Sequence, residues 1–138
     1  MQVNPYLCFK GDCEEAFQLY ARVLGGKIEA LHRFAGSPME SRMPPEWRNR
    51  VMHASMRVGA FTLMGSDPPA LQFQTPQGFS VCLQAETEAE ADRVYPALGE
   101  GGTPTMPIQK TFWSQRFGML VDRFGIPWIV NCPSPEYS

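Results

Sequence analysis

Residues 12–26, Asp12-Cys-Glu-Glu-Ala-Phe-Gln-Leu-Tyr-Ala-Arg-Val-Leu-Gly-Gly26, read as one amphipathic helix with both ends marked. Asp12 and Glu15 make a capping-box-like start, in which the Asp12 carboxylate is expected to cap the first free N–H groups. Ala16, Phe17, Tyr20, Val23 and Leu24 recur at spacings of three and four, and Gly25-Gly26 supplies the residue of positive φ that stops the helix. The apolar stripe needs a sheet to cover it. Val3, Leu7 and Phe9 alternate with Tyr6 and Cys8 just upstream, which predicts a first strand near 2–9. Downstream, Ile28 to Phe34 reads as a second strand and 50–58 as a third, with Met52, Ala54, Met56 and Val58 on one face and Val51, His53, Ser55 and Arg57 on the other. Gly59-Ala60 turns the chain into a fourth strand, Phe61 to Gly65. Between strands two and three, Ala35 to Asn49 is a proline-interrupted loop long enough to act as a lid.

The same order then recurs. Gly78 to Ala85 reads as a strand, Thr87-Glu-Ala-Glu90 as a second capping box, and Ala91, Val94, Tyr95 and Leu98 as a helical stripe stopped by Gly99, Gly101 and Gly102. Pro96 removes one helix hydrogen bond and predicts a kinked or shortened helix. Strands follow at Thr103–Ile108, Gln115–Val121 and Ile126–Asn131, the last two joined by an Asp122-Arg-Phe-Gly125 turn whose Asp bonds its own backbone. Shifting the first half by 75 positions lays Glu15 on Glu90, Ala16 on Ala91, Tyr20 on Tyr95, Val23 on Leu98 and Gly26 on Gly101. The expectation is an α+β domain of tandem βαβββ modules forming a cup-shaped half-barrel sheet. Module one covers about 1–66, a linker 67–77, and module two about 78–132.

Composition narrows the classes. A chain of 138 residues with 43% hydrophobic and 19% charged side chains can bury one core without disulfides, and is neither disordered nor fibrous. The net charge of −2 is dispersed, with no Lys/Arg cluster to meet a phosphate backbone, so no nucleic-acid partner is expected. Apolar runs of about five residues are too short for a membrane span. The N-terminus shows no signal peptide, and a cytoplasmic location is expected. Cys8, Cys13, Cys82 and Cys132 form no C-x-x-C pair, and with His32 and His53 they assemble no structural zinc signature. They read as reduced, buried thiols.

Several strings resemble the PhnB-like branch of the vicinal-oxygen-chelate superfamily, the glyoxalase, bleomycin-resistance and extradiol-dioxygenase proteins. They are Tyr6-Leu-Cys-Phe9, Glu15-Ala-Phe, Gly25-Gly26, His53-Ala-Ser, Gly101-Gly102-Thr, Met106-Pro107, Phe112-Trp113, and Asp122-Arg-Phe-Gly125-Ile-Pro-Trp128-Ile-Val-Asn131. The resemblance implies the tandem fold, a ligand cavity and a homodimer. Metal-using members hold one ion with His, Gln or Glu on the first and last strands of each module. Here those positions map to Asn4, Ser80, Leu63 (Thr62 or Met64 if the register slips) and Ile129, so no metal and no other cofactor is expected. The branch also carries a 3-demethylubiquinone methyltransferase label, yet no glycine-rich turn of a dinucleotide-type βαβ unit appears in the sequence.

The strand faces nominate His53, Arg57, Arg116 and Asn131 for one concave surface, with Phe117, Met119 and Val121 packing under the second helix. For His53, a hydrogen-bonded sheet histidine and a ligand-contacting or acid/base role both stand. Arg57 and Arg116 suit either an anion or a structural ion pair. Trp113 is placed to line the cup or anchor a partner subunit, and Trp47 to close the lid or pin its loop. Three functions follow: a metal-free protein that binds a small, partly aromatic molecule, an enzyme using His53 with an arginine on a small metabolite, or an interaction module without ligand.

Overall fold

The structure is a computed structural model, and it describes residues 1–137. The chain divides into two compact units, Met1–Thr75 and Pro76–Ser138. Each holds one helix on one face of an open, four-stranded mixed sheet, in the order βαβββ.

In the first unit the elements are β1 (Tyr6–Cys8), α1 (Cys13–Leu24), β2 (Lys27–Arg33), β3 (Val51–Val58) and β4 (Phe61–Ser66). The strand order is β1-β4-β3-β2, with β1 parallel to β4 and the other pairs antiparallel. Helix α1 buries Ala16, Phe17, Leu19, Tyr20 and Val23, the predicted stripe with Leu19 in place of the half-buried Leu24, against Leu7, Ala54, Met56 and Leu63. Gly65 lies under the helix because a Cβ there would sit 2.9 Å from Phe17 and from the Leu7 carbonyl. The first strand is shorter than expected, since only Tyr6–Cys8 finds a partner in β4.

The helix entrance also departs from expectation. Asp12 stands at the N-cap but makes no side-chain cap bond, and its Oδ1 is buried without a partner. Asp67, 1% exposed, does the capping instead: Oδ1 accepts from Gly11 N and Cys13 N, and Oδ2 from Val51 N, all at 3.0 Å. A carboxylate 54 residues downstream from Cys13 thus joins the β1–α1 turn to the start of β3, a long-range contact that the local pattern around Asp12 does not reveal. Burial, with the charges of Asp67 and Glu15 adding to it, pushes the Asp12 carboxyl above its ordinary value.

In the second unit the elements are β5 (Val81–Gln84), α2 (Glu88–Gly99), β6 (Thr103–Gln109), β7 (Ser114–Val121) and β8 (Pro127–Pro133). The order β5-β8-β7-β6 repeats the first unit's topology, with β5 parallel to β8. Here the capping residue is the predicted one: Thr87 Oγ1 accepts from Glu90 N at 3.1 Å, while Glu90 Oε1 accepts from Glu86 N. Pro96 does not shorten the helix, which runs 12 residues like α1. It sits in the last turn, where few carbonyls behind it lose a partner. Asp122 behaves as the turn residue expected, Oδ1 accepting from Phe124 N and Ile126 N, and Oδ2 from the Trp128 indole at 2.9 Å.

One register is reversed. Leu120 and Gly118 face α2, while Phe117, Met119 and Val121 point to the sheet's other face, opposite to the expectation. A pairing irregularity between Ser114 and Arg116 shifts β7 by one residue, and such a slip exchanges the two faces. Gly118 belongs under the helix because Tyr95 occupies the space where its Cβ would be, 2.7 Å from the ring. The Tyr95 hydroxyl there donates toward the Met106 and Met119 carbonyls, at 2.8 and 3.1 Å.

Candidate functional site

Each sheet leaves one face without a helix, and the strand registers decide which side chains stand there. In the first unit, the pairings Tyr6↔Met64, Ser55↔Met64 and Ala30↔Ser55 put these residues on the face opposite Leu7, Ala54 and Met56. His53 and Arg57, at alternate positions of β3, share that face. Tyr6 and His53 belong to strands that flank β4, and they meet across it: the Tyr6 hydroxyl lies 3.1 Å from His53 Nδ1, with the rings stacked at 5.7 Å. The phenol therefore fixes the imidazole plane, leaving Nε2 for other contacts. Arg57 is held in an exposed pair with Glu29 at 2.7 Å. His32 stands opposite His53 on β2.

Trp47 belongs to a short 3-10 turn, Pro45–Trp47, in the proline-bearing loop. Its indole N–H donates to the Asp67 carbonyl at 3.3 Å, and the Arg50 guanidinium stacks over its ring. Nearby Met43 is 7% exposed, so the loop folds back on its own core. Those contacts pin it.

In the second unit the helix-free face carries Cys82, Gln84, Ile129 and Asn131, together with Phe117 and Met119. Asn131 is bonded at both ends of its amide, to Gln84 at 2.7 Å and to the Ser114 hydroxyl at 2.5 Å. Beside it, Trp113 packs edge-on against Phe117 at 5.5 Å and Phe112 against Trp113 at 4.7 Å, with Phe112 left 79% exposed. Arg116 is not on this face. It reaches back over the helix side, pairing with Asp92 at 3.0 Å and Glu88 at 2.8 Å, because the β7 register turns it toward α2. Arg116 and Asn131 therefore stand on opposite sides of one sheet, and the shared surface expected for them is not formed.

Sequence reading missed Tyr6, Gln84 and Ser114. Tyr6 and Gln84 were legible as polar residues at alternate positions of short strands. Ser114 was not, since its role depends on the irregularity that opens β7.

These faces do not fit a chelated ion. Among the described residues no three His, Cys, Asp or Glu side chains cluster around one point. Of the four cysteines expected to be buried, Cys13 and Cys132 are, Cys8 is half-buried and Cys82 is exposed.

Residues 1–131 match the family described as 3-demethylubiquinone-9 3-methyltransferase. Protein PA1353 from Pseudomonas aeruginosa, a solved structure, is 44% identical, with 96% of this chain and 98% of that chain covered and a TM-score of 0.88. The PhnB protein from Bacillus cereus is 25% identical over 96% of this chain and 99% of its own, with a TM-score of 0.81. The fosfomycin resistance protein FosX from Mesorhizobium loti shares the fold alone, at 9% identity over 99% of this chain and 94% of its own, with a TM-score of 0.65.

Proposed function

The chain belongs to the 3-demethylubiquinone-9 3-methyltransferase family, a PhnB-like branch of the vicinal-oxygen-chelate superfamily, and from that membership and the geometry above we propose that it is a metal-free binding protein for a small, partly aromatic molecule. The observation that carries the reading is the helix-free face of the second unit. There an amide–hydroxyl chain, Gln84–Asn131–Ser114, runs beside the Trp113–Phe117 edge, so a planar apolar body and a polar anchor are offered side by side. Methyl transfer, in the family's description, is not part of the proposal. Neither βα junction, Phe9–Asp12 or Ala85–Thr87, has the glycine-rich turn that cradles a nucleotide-like cofactor.

The protein is proposed to act in the cytoplasm as a homodimer. No described helix is long and apolar enough to cross a membrane. Phe61 and Leu71 in the first unit and Phe112 in the second are 78%, 102% and 79% exposed, apolar side chains that a second copy would cover. Native mass spectrometry of freshly purified protein tests the whole reading. A retained organic adduct on a dimer, with no metal, is expected; one tightly held transition-metal ion per chain overturns it.

A second reading rests on its own observation, the Tyr6–His53 pair. A phenol on Nδ1 orients the imidazole for acid/base chemistry through Nε2, with Arg57 on the same face. Turnover of a small metabolite that His53→Ala abolishes and Arg57→Ala weakens would favour it over binding alone.

A further inference from the structure

Proton counting around Ser114 fixes the direction of the polar chain on the second unit's open face. The Ser114 hydroxyl lies 2.6 Å from the Arg116 carbonyl, 2.8 Å from the Cys132 carbonyl and 2.5 Å from the Asn131 atom placed as Oδ1, three oxygens around one hydroxyl, while the atom placed as Asn131 Nδ2 faces Gln84 Oε1. A hydroxyl has one proton to give and lone pairs to receive with. Both carbonyls are acceptors only, so the proton goes to one of them. The third short neighbour must then be a donor, and the only group there with protons is the Asn131 amide nitrogen. An amide can turn by 180° with its heavy atoms in place, so the assignment of oxygen and nitrogen follows the hydrogen-bond network.

With Asn131 Nδ2 donating to Ser114, Asn131 Oδ1 faces Gln84 across 2.7 Å. An oxygen there requires a donor opposite it, which turns Gln84 Nε2 inward and its carbonyl outward. Gln84 is exposed, so that carbonyl stands open on the face that carries Phe117 two strands away, with Asn131 between them. We infer that Ser114 sets the chain Gln84→Asn131→Ser114 as a one-way run of donors, and that its outer end, Gln84 Oε1, selects ligands carrying an N–H or O–H donor on a planar apolar body. The selection rests on the binding reading above; the direction of the chain does not.

Two measurements separate the parts. In nitrogen-edited NOE spectra of the free, full-length protein, the Asn131 side-chain NH2 protons should show contacts to the Ser114 Hβ protons, and the Gln84 NH2 protons should approach Asn131. Contacts from the Asn131 NH2 to Gln84 Hγ with none to Ser114 overturn the direction. Indole and 1-methylindole, equal in shape but for the donor, are then titrated against the same resonances. Indole should bind about three- to tenfold tighter, the worth of one net hydrogen bond, and Gln84→Leu should erase the difference while still binding both. Equal affinity for the two probes in the unmodified protein overturns donor selection with the face still a binding face. Failure of both probes to shift Gln84, Asn131, Trp113 or Phe117 overturns the selection together with the binding reading, whatever the NOE contacts show.

Discussion

Asp67 and Asp12 are two carboxyls at one helix entrance with opposite energetic signs. Asp67 is buried and accepts three backbone N–H bonds from Gly11, Cys13 and Val51. Asp67→Asn replaces one oxygen with an amide that faces an N–H, donor against donor. Charge-assisted bonds of this kind contribute more than neutral ones, so a loss of about 2–4 kcal/mol is expected, read as a lower urea midpoint with an unchanged slope. Asp12 has a buried oxygen without a partner, and its carboxyl is held above the ordinary value near 3.8 by burial first. A raised carboxyl favours the native state only while protonated, so its contribution is present below the unfolded value and is lost as pH rises through the folded one. Asp12→Asn should therefore be more stable than the parent at pH 7, with the advantage fading as pH falls toward 3; a constant difference across that range would contradict the assignment. Reading the sequence put the cap on Asp12 because a helix start is judged by its neighbours. The true cap comes from a residue that only folding brings there.

At the scale of elements, both helices were legible because stripe and stop are local and mutually consistent, as is the Thr87 cap of α2. The faces of β3 were legible from His53 onward, where Ala54 and Met56 alternate with His53, Ser55 and Arg57, but Val51, expected on the His53 face, is 1% exposed and lies beyond a pairing irregularity at the strand's start. β7 was not. Its alternation runs Arg116, Phe117, Gly118, Met119, Leu120, and carrying the first module's pattern over to it selects Phe117, Met119 and Val121 for packing, whereas the helix approaches over Gly118 because Tyr95 needs that space. Gly118→Ala tests the packing: its Cβ would meet Tyr95 at 2.7 Å and the Ile108 backbone at 3.1 Å. A destabilisation of about 1–3 kcal/mol is expected from such overpacking. Gly99→Ala, near the end of α2 and with only Leu120 at 3.4 Å, should be neutral or slightly stabilising in the same thermal melts.

For the whole molecule, the repeat is what the chain announces most clearly, and both units carry the same strand order. Assembly is less legible, because it depends on which apolar loop residues turn inward: Met43 does, while Phe112 remains exposed. Sedimentation equilibrium at micromolar concentration should give twice the 15.5 kDa chain mass, and Phe112→Ser should shift the population toward monomer if that ring is covered by a second copy. The Asp67 joint has a consequence in time as well as in energy. Two neighbouring amides, those of Gly11 and Cys13, and a third 38 residues beyond Cys13, that of Val51, share one carboxylate, so an opening that moves Asp67 away exposes all three together. Their hydrogen exchange should report a single opening event, linking the helix entrance and the central strand into one cooperative unit.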